Sequence, residues 1–398
     1  MGMTTLGDAA ARGGIQTGPF GSQLHAEDYV QSGVGVVMPQ DIGDNEVDGS
    51  RMARITPERA ESLARHRLRP GDIVFSRRGD VTRRALVKVN ADAVICGTGC
   101  LRVRVDETRA NPRYVSYAVG TPEAKAWLIR HAVGATMANL NTRILSALPL
   151  SLPPLAVQAA IGEVLGALDD KIAANRRALE LGKALLDARW SEISAHSTES
   201  VPLADIVEIS PRVPQCKDGE PPYLDMKNLP EHGLLVADWG SRAPRGGTRF
   251  RNGDTLVARI TPCFENGKMA WVDFLDVEET GYGSTEYIVL RAKRGIPRLV
   301  PYVIAASPGF RTFAARHRTG TSGRQRVQAR ELAAYEVSLP SAGHLATFGT
   351  FAETLAARLG AARTESRRLT TTRDELLPLL MSGRITVKDA ERRVEEEV

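Results

Sequence analysis

The chain repeats itself once, and that constrains its fold more than any other feature. Thr5-Leu6-Gly7-Asp8 recurs loosely as Pro202-Leu203-Ala204-Asp205. Leu68-Arg69-Pro70-Gly71-Asp72-Ile73-Val74-Phe75-Ser76-Arg77 recurs as Phe250-Arg251-Asn252-Gly253-Asp254-Thr255-Leu256-Val257-Ala258-Arg259. Pro112-Arg113-Tyr114-Val115 is answered by Pro301-Tyr302-Val303, Gly134-Ala135-Thr136 by Gly320-Thr321-Ser322, and Leu152-Pro153 by Leu339-Pro340. Each match alone is at chance level, but the order is kept throughout while the offset drifts with insertions. Two tandem copies of one unit follow, and 398 residues exceed the usual reach of a single hydrophobic core.

Each copy opens with roughly 150 residues of short apolar runs broken by Gly, Pro and Asp, which read as strands, turns and a few helices. Ile73-Val74-Phe75, Ala85-Leu86-Val87-Lys88-Val89 and Leu101-Arg102-Val103-Arg104-Val105 are strands of the first copy; Leu256-Val257-Ala258 and Tyr287-Ile288-Val289-Leu290 are their counterparts. Gly71-Asp72 and Gly253-Asp254 are turns leading into strands. A helical part follows in each copy. After Pro153-Pro154 the positions Ile161, Leu165, Leu168, Ile172, Asn175, Leu179, Gly182 and Leu186 step by three and four, a heptad seam with one polar and one small member. Copy two ends likewise on Leu345, Phe348, Ala352, Leu355, Leu359, Ala362, Ser366, Leu369, Arg373, Leu376 and Leu380. Seams of roughly 60 Å at 1.5 Å per residue are longer than a helix that merely packs on its own domain needs. With a globular unit between them they pair most simply antiparallel, and Pro378 is expected to kink or end the second.

The fold class is therefore α+β, two globular mixed α/β domains joined by two long helices in an antiparallel coiled coil, with a pseudo-twofold internal repeat. The expected boundaries are 1–152 and 197–340 for the globular domains, 153–196 for a central helix, 341–384 for a C-terminal helix and 385–398 for a flexible, Glu-rich tail.

No familiar catalytic constellation stands out. Gly182-Lys183 and Gly267-Lys268 lack the Ser or Thr of a phosphate loop, and Gly-x-Ser-x-Gly does not occur. Glu220-Pro221-Pro222-Tyr223 is one residue from the Asn/Asp-Pro-Pro-Tyr loop that grips an exocyclic amine, but Glu cannot supply the amide donor; a proline-rich turn entering a strand at Leu224 explains it better. Asp225-Met226-Lys227 matches the tail of a nuclease acid-x-lysine motif without an obvious paired acid. The seven histidines lack metal-ligand spacing, and Cys96 and Cys100 have no second pair, so no metal is expected. Four cysteines in this length suit a reducing compartment. With no basic run and apolar core at the start, and prolines interrupting the uncharged stretch from Ile144 to Gly162, a cytoplasmic protein is expected.

Basicity is local. The net charge is only +5, although 43 of the 52 basic residues are Arg. Arg77, Arg78, Arg83, Arg84 and Lys88 crowd one stretch of copy one; Arg242, Arg245, Arg249, Arg251, Arg259 and Lys268 recur in copy two. Arg316, Arg318, Arg324, Arg326 and Arg330 follow with no acid among them until Glu331. Interleaved Gly and Ser present backbone amides, hydroxyls and guanidinium groups together, the mix that contacts phosphates and guanine edges. The matching loop of copy one offers Asn139, Asn141 and Arg143, and amides pair well with adenine. A single arginine is as easily a solvated side chain, but clusters recurring at matching places favour double-stranded DNA. Shared scaffold and different loops imply two different half-sites, with the helices fixing the gap across major grooves that recur every 34–36 Å or so.

Here the residues resemble the specificity (S) subunit of type I restriction-modification enzymes, over nearly the whole chain. Thr17-Gly18-Pro19-Phe20-Gly21-Ser22-Gln23-Leu24-His25-Ala26-Glu27-Asp28-Tyr29 resembles the opening signature of target-recognition domains. Leu152-Pro153-Pro154-Leu155-Ala156-Val157-Gln158 through Leu168-Asp169-Asp170-Lys171-Ile172 and Asn175 resembles the start of that family's spacer helix. The resemblance implies two target-recognition domains, docking of two methyltransferase (M) subunits that carry S-adenosylmethionine, and restriction (R) subunits using ATP and Mg that can join them in phage defence. It adds Ser22, Gln23 and His25 to the DNA-binding candidates and implies a chain with no catalytic site or cofactor of its own. The second domain lacks the Gly-Pro-Phe-Gly-Ser signature, and Ser341-Ala342-Gly343-His344 replaces a second Pro-Leu-x-x-Gln. The rival readings are a stand-alone methyltransferase or nuclease around Glu220 to Lys227, and a coiled-coil scaffold that binds no DNA.

Overall fold

Each copy closes on itself through a two-stranded antiparallel ladder. Met3–Thr5 pairs with Pro149–Ser151 in the first, and Ser200–Pro202 pairs with Glu336–Ser338 in the second. The computed structural model describes residues 3–49, 52–88, 94–134, 137–197, 199–216, 219–243, 246–321 and 323–397. These divide into two units, Met1–Lys171 with Arg368–Val398, and Ile172–Arg367.

In the first unit a five-stranded sheet runs Ala10–Thr17, Cys100–Val105, Ile73–Ser76, Arg84–Leu86 and Asp44–Asn45; a four-stranded sheet holds Tyr29–Val30, Ala53–Ile55, Val34–Val37 and Val94–Cys96. The strand expected over 85–89 is thus shorter and begins at Arg84. In the second unit one sheet orders Val207–Ile209, Tyr287–Ala292, Thr255–Ala258 and Met269–Trp271, and another orders Gly240–Ser241, Pro222–Leu224, Gly281–Gly283 and Thr248–Phe250. Short helices with side-chain caps follow at matching places: Thr121 caps Pro122–His131 and Ser307 caps Pro308–Arg316.

The repeat is kept down to single bonds. Gly71 and Gly253 adopt φ of 85° and 88°, which other residues resist, and their amides reach the carbonyls of Val87 and Val272. The next residue does the holding. Asp72 accepts from the Arg69 amide at 2.7 Å and from Arg104 Nε and Nη2 at 2.7 Å each; Asp254 accepts from Arg251 and from Arg291 at the same distances. Both carboxylates are only 1% exposed. Such a buried charge is tolerable only because a bidentate guanidinium neutralises it.

The long helices are Leu155–Ala195 and Ala342–Ser382, 41 residues each. Within the second unit they pair antiparallel: Asn175 Nδ2 donates to Glu365 at 2.7 Å, Gly182 faces Leu359, and Trp190 meets Phe348 with ring centroids 5.3 Å apart. In the first unit Asp169 and Arg373 meet at 2.8 Å. Of the expected seam, Ile161, Leu165, Leu168, Leu186, Leu345, Phe348, Leu359, Leu369 and Leu376 are buried, and Ile172, Leu179 and Leu355 half-buried. Seam and domain packing coexist: Leu186, Trp190, Leu345, Phe348 and Leu359 also belong to the second unit's main core, with Leu203, Tyr302 and Phe310. The two weak heptad members have physical reasons. Asn175 is satisfied by Glu365, and a Cβ on Gly182 would stand 2.7 Å from Leu359 Cδ1. Gly182→Leu, which restores the heptad on paper, is expected to destabilise by about 1–3 kcal/mol through overpacking, measured by urea unfolding.

Of the two outcomes expected at Pro378, an end is excluded, since the helix runs on to Ser382 between the buried Leu376 and Leu380. The tail is not a loose strand of acids: Val387–Glu397 is a helix, started by reciprocal bonds between Thr386 and Asp389 and seated on the buried Ala390.

Candidate nucleic-acid interface

In the first unit four loops converge. Gly18 donates to the Cys100 carbonyl and lies so close to the Cys96–Cys100 turn that a Cβ would come 2.0 Å from the Gly97 oxygen. Burial pushes the Cys96 thiol up to about 12 and raises Cys100 as well, so both are inert packing groups. Arg77 donates its amide to Gly99 and sets its guanidinium 5.9 Å from the centroid of Phe20, which is 54% exposed. Its Nε points to Asn139 Oδ1 and the Leu140 carbonyl, each at 3.3 Å. The signature loop, the Cys-Gly-Thr-Gly-Cys turn, the 77–83 loop and the 138–143 loop therefore share one surface.

The sequence candidates take distinct places on it. Ser22, His25, Arg78, Asn141 and Arg143 are exposed; Gln23, Arg77, Arg83 and Asn139 are half-buried. Gln23 shapes its own loop, accepting from the Phe20 amide and from Arg65, while Asn141 caps the helix Thr142–Ser146. Arg83 donates to the Pro39 carbonyl. Arg84 is a correction. It is 4% exposed, with Nε on the Ser116 carbonyl and Nη1 on Asp44, because every residue of its strand, Arg84–Leu86, is buried.

His66 sits beneath this surface, 3% exposed, accepting on Nε2 from Arg65 Nε at 2.9 Å. Burial, helped by the charges of Arg65 and Arg102, lowers its pKa from the ordinary 6.5. The folded state thus binds fewer protons than the unfolded one, so stability is retained above that value and declines as pH falls below it. Titrating from pH 7.5 to 5.5 should lower the first unit's melting temperature, and His66→Gln should flatten that slope.

In the second unit the equivalent surface is built on Arg259, whose amide donates to Glu286 and whose carbonyl accepts from Val327. Arg326 lies in the short ladder of Arg318–Thr319 with Arg326–Val327, and its guanidinium grips Glu286 with Nε at 2.9 and 3.0 Å and Nη2 at 2.7 Å. Arg324 and Arg330 are exposed, Arg330 loosely paired with Glu331. Arg249 stands apart, on strand Thr248–Phe250 of the other sheet. Arg245 lies outside the described residues. Sequence reasoning missed Phe20, which its own signature could have flagged, and Glu286, which has no local signal because its partner is forty positions away.

Among the described residues no cluster of His, Cys, Asp and Glu could hold a metal, and no helix is long and apolar enough to cross a membrane.

Comparison with known proteins places these features. Residues 61–181 match the Type I restriction modification DNA specificity domain. The EcoAI type I restriction enzyme specificity subunit of Escherichia coli is 33% identical over 132 residues, 31% of this chain and 22% of that protein. The EcoEI specificity subunit, also of E. coli, is 28% identical over 151 residues, 36% and 25% of the respective lengths. The matched stretch thus spans a quarter or less of those relatives. The crystal structure of a type I restriction-modification S subunit from M. genitalium shares the fold across 95% of both chains, with a TM-score of 0.58 and 14% identity. Residues 61–181 thus resemble the type I restriction-modification DNA specificity domain, and the chain as a whole shares the fold of a solved S subunit.

Proposed function

We propose that the chain is the sequence reader of a type I restriction-modification complex. It binds a bipartite, asymmetric duplex site and positions two M subunits on it, with R subunits able to join. The carrying observation is the duplicated surface: equivalent loops, hung on equivalent strands by the same backbone bonds, present Arg77, Arg78, Asn139 and Arg143 in one unit and Arg259, Arg324, Arg326 and Arg330 in the other. A shared scaffold with different side chains suits two half-sites of different sequence. On this reading residues 1–152 and 197–340 are the target-recognition domains, methyl transfer belongs to the S-adenosylmethionine of M, and cleavage belongs to the ATP and Mg of R. The chain contributes recognition alone.

The test is selection from a random duplex library with the full chain plus M, followed by methyl-donor turnover assays. One split motif, with adenine methylation only when M is present, is the expected result. Turnover by the chain alone, or binding without steep salt dependence, would overturn the reading.

A further inference from the structure

Asn139 and Arg326 occupy the same place in the two repeats. Each is bridged to the second residue after the equivalent strand, Arg78 for Asn139 and Ile260 for Arg326. Each is bridged again to the segment after the capped helix, at Val133 and Thr319. The residue following each, Leu140 or Val327, donates its amide to Arg77 or Arg259. At this shared position the side chains differ in kind, an amide against a guanidinium.

Both are held in place, unlike the exposed arginines around them. Arg77 Nε holds Asn139 Oδ1 at 3.3 Å, and among the described residues Asn139 Nδ2 has no partner. Glu286, its side chain 23% exposed, takes the Nε and one Nη2 hydrogen of Arg326, while Nη1 reaches the Arg324 carbonyl at 3.3 Å. One N–H on each terminal nitrogen remains, the end-on pair that matches guanine O6 and N7; an asparagine amide matches adenine N6 and N7. A fixed orientation is what a base-reading group needs, whereas phosphate contacts tolerate flexible side chains.

Building on the DNA reading above, we propose that Asn139 and Arg326 are the paired base-reading residues of the two half-sites, Asn139 for an adenine and Arg326 for a guanine, with Arg77 and Glu286 as their positioning residues. The test selects random duplexes with the full chain plus M, comparing wild type with Asn139→Ala, Arg326→Gln and Glu286→Gln, each checked by thermal melting. Arg326→Gln should lose preference for one guanine in one half-site by roughly 10- to 100-fold and leave the other half-site intact. Asn139→Ala should do the same for one adenine in the opposite half. Glu286→Gln should relax the same guanine as Arg326→Gln, without weakening non-specific binding, a pattern that simple structural damage does not give. Uniform weakening with the motif unchanged would mark phosphate contacts and overturn the assignment, as would relaxation of both half-sites by one substitution. Failure of wild type to enrich any motif would instead overturn the DNA reading itself.

Discussion

Asp72→Ala will unfold the first unit at a lower urea concentration, and Asp254→Ala the second, each losing on the order of 3 kcal/mol. Each carboxylate takes two guanidinium bonds and a turn amide at 2.7 Å while almost wholly buried. Removing it strands Arg104 or Arg291 between strands with no counter-charge. The partial exposure of those arginines, 27% and 25%, lets water recover some of the loss and keeps the effect below that of a fully enclosed pair. Tryptophan separates the two results, because Trp127 belongs to the first unit and Trp190, Trp239 and Trp271 to the second. The main fluorescence transition should therefore shift with Asp254→Ala, whereas Asp72→Ala should shift an early step in far-ultraviolet circular dichroism. Equal movement of one transition by both variants would contradict two equivalent but separate clasps.

The second large effect concerns DNA. Replacing Arg78, Arg143, Arg324 and Arg330 together by Ala removes four exposed cations from the two equivalent surfaces. If each neutralises one phosphate, the slope of log affinity against log salt should fall by roughly four, and affinity at low salt by about a hundredfold or more. The motif selected by the remaining half-buried residues should persist. A control replacing Arg84, whose guanidinium lies against Ser116 and Asp44, should lower stability and leave the salt slope unchanged in whatever protein remains folded. An unchanged slope in the fourfold variant would place the phosphate track elsewhere.

Long periodic elements were legible from sequence because their signal is summed over many residues. Most members of the seams from Ile161 to Leu186 and from Leu345 to Leu380 are buried, as three-four spacing sustained over several heptads predicts. Short apolar runs bounded by turn residues also located Ile73–Ser76 and Tyr287–Ala292. Legibility ended where a residue's role is set by a distant partner. Arg77 and Arg84 look alike in a run of basic residues, yet one faces Phe20 and Asn139 and the other faces Ser116. Glu286 carries no sequence signal of its own, and only the fold brings Arg326 onto it. Asn175 and Gly182 looked like flaws in a heptad until Glu365 and Leu359 gave them meaning. The helical tail was a different lapse, for Thr386-x-x-Asp389 is a local start signal that the acidic composition obscured.

The small ladder that ties Met3–Thr5 to Pro149–Ser151, and its twin at Ser200–Pro202 and Glu336–Ser338, brings the entrance and exit of each globular part side by side. A head so attached behaves as a cassette. Its chain enters and leaves through three pairs of backbone neighbours, but in the second unit its core is shared with Leu186, Trp190, Leu345 and Phe348 of the long helices, so any exchanged part has to match that surface as well.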